Sequence, residues 1–293
     1  MEKVEVLEFI KILYLYKMIS ILKKLFLNII KILSPNFSCK LNNLRQYIFN
    51  RKVLFSYDSE LKLYYVSENN DKMYFSDKMR GIQTYSYGIN YRADELIKTY
   101  NLDLINFKKN DLVIDCGANY GDLYTWLKSK KIFINYISFE PSPTEYKCLK
   151  LNCANQVNNN VALSNVEGIS EFYLKSDSGD SSIIEPSSGF TNIIKIKTTT
   201  LNNYIIEKKI KNIKFLKLEA EGFEPEILQG SDQILNNIEY IGVDGSPERG
   251  KKNETTIEYA IEFLTSKGFE VIKSNINQRY AKALFKNPNF KYK

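Results

Sequence analysis

The chain contains no histidine among its 293 residues. That removes the commonest general base, the commonest metal ligand and every histidine-based catalytic triad. Acid–base chemistry must therefore use Asp, Glu, Lys, Tyr or water. Cysteine is scarce as well. Cys39, Cys116, Cys148 and Cys153 show no CxxC spacing, so neither a zinc site nor a disulfide framework is expected, and reduced thiols are the simplest reading. No metal ligand set is assigned. Long apolar runs are also missing: residues 4–33 are strongly apolar but broken by Lys11, Lys17, Lys23, Lys24 and Lys31, short of the roughly 20 residues that span a bilayer. The same segment lacks the small-residue cleavage site of a signal peptide. There is no internal repeat and no long low-complexity stretch.

What remains describes a folded protein. Apolar residues make up 44% and charged residues 26%, enough to bury a sizeable core in one large domain or one domain with an appendage. The net charge of +7 favours anionic surfaces, and part of the excess lies in the first 33 residues. There Lys17, Ser20, Lys24, Asn28 and Lys31 fall at spacings of three and four and line one narrow helical face. Two readings stand for this amphipathic helix: packing on its own domain or a partner, or lying in a membrane surface with its lysines toward headgroups. Ser34-Pro35-Asn36 ends the segment. The chain divides into an N-terminal helix (1–35), a subdomain or lid (36–108) and a core domain (109–293). In the lid, residues 52–76 carry three short strands separated by Asp58-Ser59 and Asn69-Asn70-Asp71, and residues 93–100 are helical.

From residue 111 strands and helices alternate, the pattern of an α/β sheet. Leu112-Val113-Ile114 is a short apolar strand that ends in Asp115-Cys116-Gly117-Ala118-Asn119-Tyr120-Gly121 and opens a helix at Asp122. A strand, a glycine turn and a helix N-terminus let a ligand approach bare backbone. The loop has two glycines rather than the three a dinucleotide pyrophosphate demands, which suits a cofactor without a pyrophosphate, such as S-adenosylmethionine. Later strands run over Ile134–Glu140, Asn159–Leu163, Ile193–Thr198, Phe215 to the two acids Glu219 and Glu221, and Ile238–Asp244, and Glu254 to Lys267 reads as a helix closed by Gly268. Their acids fall at carboxyl ends, where open α/β sheets bind ligands. Glu140 lies about 20 residues after Gly117, the spacing at which a carboxylate reaches ribose hydroxyls. Such an acid would repel a 2′-phosphate. Trp126 is read as a core residue.

These motifs occur in a set. Val113–Gly121, Phe139-Glu-Pro-Ser-Pro143, Asn160-Val-Ala-Leu-Ser164, Gly168 with Phe172-Tyr173, Gly179-Asp-Ser-Ser182, Thr199-Thr-Leu-Asn202 and Leu216–Glu224 with Leu228-Gln-Gly230 resemble, in order and spacing, the FkbM-type S-adenosylmethionine-dependent methyltransferases. The resemblance spans roughly residues 80–285. It implies a class I methyltransferase (Rossmann-like) fold, a seven-stranded α/β sheet with helices on both faces and its last strand antiparallel. It implies O-methylation of a sugar, glycan or glycan precursor. It also implies that Asp115, Gly117, Asn119, Gly121, Glu140 and Pro141 contact the cofactor, with backbone near Ala162 and Leu163 flanking adenine. The family commonly has Asp-Val-Glu-Gly where this chain has Glu219-Ala220-Glu221-Gly222, so the first acid is one methylene longer. Glu219 and Glu221 are the expected catalytic residues, Glu219 first, with Asp115 and the more distant Asp244 as further bases; for Arg80, Tyr91 and Arg92 two readings stand, lining the acceptor pocket or ordinary surface and packing roles. A nicotinamide-dependent sugar oxidoreductase and a non-catalytic adaptor tethered by residues 4–33 are the alternatives. Nucleic acid is not an expected partner, for the core has no basic run interleaved with aromatics. The expected location is cytoplasmic, with peripheral contact at the inner membrane surface through residues 4–33.

Overall fold

The computed structural model describes residues 17, 18, 20–175 and 179–292. Most of the N-terminal segment 4–33 thus lies outside the described residues; what is described of it, residues 20–32, is helical. Pro35 does end that helix, and it also opens a second one, Pro35–Ile48, at its first position, where the missing N–H costs nothing. The sequence pattern had not placed this helix.

Three antiparallel strands follow, β1 (Val53–Asp58), β2 (Leu63–Glu68) and β3 (Asp71–Phe75). β1 is an edge strand, and Asn43 from the Pro35–Ile48 helix pairs with its backbone: Asn43 Nδ2 donates to Phe55 O (2.9 Å) and Phe55 N to Asn43 Oδ1 (2.7 Å). Two helices, Lys78–Tyr85 and Ile89–Tyr100, carry the chain to the core. The Asp77 side chain caps the first by accepting from Arg80 N at 2.7 Å. Lys78 Nζ donates to Lys31 O (3.2 Å) and Leu33 O (2.8 Å), so it ties off the end of the N-terminal helix. The β-rich subdomain and its helices share a core built on Phe55, Val66, Met73, Phe75, Ile82 and Tyr85, all at most 1% exposed.

The main sheet contains β4 (Leu112–Cys116), β5 (Asn135–Phe139), β6 (Val157–Asn159), β10 (Ile213–Leu218), β11 (Ile238–Asp244), β12 (Glu270–Ile276) and β13 (Ala281–Lys286). Their spatial order is β12-β13-β11-β10-β4-β5-β6, and β13 alone runs antiparallel to its neighbours. β10 is buried along its whole length, as a central strand covered by helices on both faces must be. The chain moves outward from β4 to β5 and β6, then returns to the other side of β4 with β10. This makes a topological switch point between β4 and β10, where Leu218 stands level with Cys116. The helices Asp122–Ser129 and Pro143–Asn152 lie beside the first half and Glu224–Gln229 and Ile257–Ser266 beside the second.

Two expectations change. The stretch read as one strand, Asn159–Leu163, divides: β6 stays in the main sheet, whereas β7 (Ala162–Leu163) joins a separate small sheet in the order β7-β9-β8, with β8 (Gly168–Leu174) and β9 (Asn192–Thr199). Asn160 makes the break, its Nδ2 donating to Glu140 O (2.8 Å) and Pro141 O (3.0 Å). The expected helix from Glu254 to Lys267 begins at Ile257. All four cysteines are free and buried, and Trp126 packs in the core beside Phe107 and Leu127. Among the described residues no helix is long and apolar enough to cross a membrane.

Candidate functional site

At the switch point a cleft open to solvent lies over the carboxyl ends of β4, β5 and β10. Its lining brings together Asp115, Gly117, Asn119, Glu140, Pro141, Ala162, Leu163, Glu219 and Glu221 of the sequence-predicted residues, and from the N-terminal side Arg80 and Arg92. Tyr91 is not among them; it is 47% exposed and stacks against Tyr87.

The glycine loop is fixed by backbone contacts. Gly117 N and Ala118 N both donate to Phe139 O (3.0 and 3.1 Å), locking the turn onto β5. Gly117 has φ +72°, and a Cβ there would lie 1.7 Å from the carbonyl oxygen of Glu219. No side chain fits, so the bare backbone faces the cleft. Asn119 is also left-handed (φ +51°), and its N–H donates to Glu140 Oε2 at 2.8 Å. Gly121, expected at the cofactor, is not among the residues that line the cleft. It lies behind the loop, where a Cβ would meet Cys153 Sγ at 2.5 Å, and its role is close packing against the Pro143–Asn152 helix.

Glu140 is 6% exposed and accepts from Asn119 N and, through Oε1, from Ser142 N at 2.9 Å. Burial and the nearby Glu145 push its carboxyl up to about 7, against the pull of those two N–H groups and of Arg80. One lone pair on each oxygen is still free, a fit to a vicinal diol. Ala162, Leu163, Phe172 and Ile227 make this part of the wall apolar, suited to the flat face of a purine.

Asp115 does not offer a free carboxylate. Its Oδ1 takes Lys217 Nζ at 2.9 Å and its Oδ2 the Tyr136 hydroxyl. Lys217, given no role from the sequence, proves central. Its Nζ is buried and also donates to Gly117 O (3.0 Å) and to Glu219 Oε2 (2.8 Å). The signal was there: a lysine in the middle of an apolar central strand needs a buried acid. It joins both halves of the switch point.

This changes the ranking of the two expected catalytic acids. Burial pushes the Glu219 carboxyl up, but Lys217 and Lys282, with the hydrogen bond from Lys217, outweigh it and hold the group well below the ordinary value, which makes it a weak proton acceptor. Glu221 is the opposite case. Burial first, then Glu248 and Glu219, drive its carboxyl well above the ordinary value. Burial likewise pushes the neighbouring Glu248 carboxyl up to about 8. Glu221 also has left-handed backbone, φ +53°, unusual for a glutamate. Two contacts enforce that turn. Glu224, buried, accepts from Ala220 N (2.8 Å) and Gly222 N (3.3 Å), and Arg249 Nη1 donates to Gly222 O (2.6 Å). Asp244, the more distant candidate, is engaged by Lys282 and Ser246 and lies outside the lining.

Arg80 completes the cleft. Its guanidinium lies over the Tyr120 ring (5.0 Å to the centroid), and its Nη1 is buried without a partner. An orphaned cationic donor in a cleft is a place for an anionic group. Arg92 pairs with Asp122 at 3.4 Å, and Asp122 in turn accepts from Tyr85 OH (2.7 Å), which ties the N-terminal helices to the loop.

The seven-stranded sheet with one reversed strand, the switch-point cleft and the acid after β5 together define a class I methyltransferase. The chain belongs to the methyltransferase FkbM domain family, whose model matches residues 115–271, more than half of its length. Its cofactor is S-adenosylmethionine. No curated protein matches the chain. Similar solved structures include a Streptococcus agalactiae protein of the NADB-Rossmann superfamily (13% identity, 68% of this chain and 69% of that one, TM-score 0.40). They also include the TrmK protein of M. capricolum bound to S-adenosyl-homocysteine (11%, 68% and 69%, TM-score 0.38). A third is a ribosomal protein L11 methylase of Lactobacillus delbrueckii subsp. bulgaricus (11%, 68% and 78%, TM-score 0.38). Similarities this low carry no substrate over to this chain.

The cleft fits the cofactor on its own terms. The bare backbone at Gly117, the two free lone pairs of Glu140, the apolar wall and the orphaned Arg80 Nη1 answer respectively a close-approaching chain, a ribose diol, a purine and a carboxylate.

Proposed function

We propose that the protein O-methylates a hydroxyl of a sugar in a glycan or glycan precursor, with Glu221 as the proton acceptor. The observation that carries the choice of base is the strained Glu221, held beside Glu248 with a raised proton affinity on the wall of the same cleft as Glu140. The sugar acceptor is supported by the family resemblance and by an acid-lined wall, since carboxylates suit a polyol as paired acceptors. Bound S-adenosylmethionine supplies an electrophilic methyl on a sulfonium. Glu140, Pro141, Gly117, Asn119, Ala162 and Leu163 would hold it, with Arg80 as the counter-charge to its carboxylate.

The chain's own groups then have two tasks. The first is alignment of the acceptor oxygen in line with the methyl–sulfur bond. The floor for this is rigid, because Lys217 ties Gly117 and Glu219 together. The second is removal of the hydroxyl proton. As the oxygen's electron pair forms the new C–O bond and the C–S pair returns to sulfur, the proton passes to the Glu221–Glu248 pair. Glu219 stays ionised against Lys217 and accepts a hydrogen bond from a neighbouring hydroxyl.

The test compares surface glycans by mass spectrometry with and without the gene, alongside release of S-adenosyl-homocysteine by the purified protein on those glycans and on tRNA. A methyl group missing from the glycans of the deletion strain supports the reading. Turnover confined to tRNA, or unaltered glycans, would sink it.

A further inference from the structure

The helix Pro35–Ile48 is inside out. Its inward residues are Ser38, Cys39, Asn42 and Gln46, all buried, and within that face Asn42 Nδ2 and Gln46 Oε1 find no partner. Outward it presents Phe37, Leu44, Tyr47 and Ile48, continued by Phe49, each between 55% and 82% exposed. A helix in water has the reverse pattern. The neighbouring helical residues 20–32 share only its outward half: Phe26, Leu27 and Ile30 attach them to the body, while Ile21, Leu22, Leu25, Ile29 and Ile32 face out. Two adjacent segments thus expose one kind of surface, larger than the scattered apolar residues of an ordinary monomer.

Charge identifies what covers it. Residues 17–57 contain Lys17, Lys23, Lys24, Lys31, Lys40, Arg45, Arg51 and Lys52 and no acid at all, a charge of +8 where the whole chain carries +7. The protein's basic character therefore resides here, and the remainder is close to neutral. Arginines lie over an aromatic of this face, Arg45 and Arg51 over the Phe49 ring (5.9 and 5.4 Å to its centroid). A second copy docking isologously would oppose +8 to +8. Apolar residues among cations with no acids match an anionic lipid surface instead, where the rings enter the headgroup boundary and the lysines stay at the phosphates.

We infer that the two N-terminal helices form a membrane-docking face for anionic lipid, with Phe37, Leu44, Tyr47, Ile48 and Phe49 as its inserted part. The face extends beyond the first 33 residues and does not depend on which hydroxyl is methylated. It is tested with the full chain floated with vesicles of phosphatidylcholine alone or with about 30 mol% phosphatidylglycerol. Binding to the anionic vesicles only is expected, weakening as salt rises to about 1 M. Lys23→Gln with Lys24→Gln should weaken it about 25-fold, and Tyr47→Ser with Ile48→Ser and Phe49→Ser about 100-fold or more. Every variant should keep the wild-type melting temperature and cofactor titration, because the altered side chains are exposed. Equal binding to both vesicles, binding indifferent to both sets of substitutions, or no binding at all would overturn the inference. So would a wild-type dimer that the serine variant converts to monomer, which would make the face a self-interface.

Discussion

Glu140 makes the affinity for S-adenosylmethionine a function of pH. Its two oxygens each spend one lone pair on a backbone N–H, from Asn119 and Ser142, and keep one for a ribose hydroxyl. Only the ionised group can accept both hydroxyls. Burial raises its value to about 7, so in the cofactor-free protein the group is mostly protonated at about pH 6 and mostly ionised at about pH 8. Binding then requires loss of a proton below the midpoint, and affinity should fall roughly tenfold from about pH 8 to about pH 6, near 1.4 kcal/mol. Isothermal titration calorimetry in buffers of different ionisation heat reads both quantities: the dissociation constant, and a proton release approaching one at the acid end. Glu140→Gln keeps one acceptor oxygen and turns a donor toward the other hydroxyl. Replacing two charge-assisted hydrogen bonds should cost about 2–4 kcal/mol, roughly 30- to 1000-fold in affinity, and abolish the slope. A dissociation constant flat from about pH 6 to about pH 8, or a glutamine variant that keeps the wild-type slope, would refute the assignment.

The other expectations bear on neighbouring groups. Lys217→Met removes the cation shared by Asp115 and Glu219 and should cost about 3–5 kcal/mol of stability, read as a lower denaturant midpoint; a loss under about 1 kcal/mol would mean the acids find other partners. Gly117→Ala sets a methyl against the Glu219 carbonyl and should eliminate cofactor binding in a calorimetric titration, unless the acid loop can retreat. Glu221→Gln should lower kcat about 10²- to 10⁴-fold with an unchanged cofactor dissociation constant, and the wild-type kcat should rise with pH above the ordinary carboxylate range, since burial and Glu248 raise the Glu221 carboxyl; a pH-independent kcat would remove Glu221 as the base. Glu140 and Glu224, both raised to about 7, hold their protons more tightly folded than unfolded. Their stabilisation is complete below about pH 4.5 and lost as pH rises through 7, so the cofactor-free melting temperature should fall over that range, and cofactor should raise it more at about pH 8 than at about pH 6.

The parts of this protein that could be read from its sequence are those where local pattern and tertiary position agree. The strand before Gly117, the helix after it and Glu140 at the end of β5 are all set by hydrophobic runs and strand-end acids. Three features were hidden. Lys217 was given no role, because a lysine within an apolar run points to a buried acid only once β10 is known to lie between β4 and β11. The division of Asn159–Leu163 between two sheets depends on a side chain, Asn160, bonding carbonyls of another loop. The Pro35–Ile48 helix was missed because its apolar residues point away from the protein, so a rule that sends them inward finds no place for it. Glu219 and Glu221 are two residues apart in sequence, and only their surroundings, Lys217 for one and Glu248 for the other, give them different proton affinities.

The contact between Gly117 and the Glu219 carbonyl also bears on how this enzyme could change over time. It welds the cofactor loop to the acid loop, and Lys217 rivets both from beneath. A substitution on either loop disturbs both at once, so the floor has little freedom to vary. The roof, from Arg80 to Arg92 and around residues 179–190, meets the cleft through side chains that can be exchanged one at a time, Arg92 and Tyr85 on Asp122 and Ser182 on the Glu221 carbonyl. New acceptor preferences are therefore open to drift in the roof, while the methyl-donating floor is inherited whole.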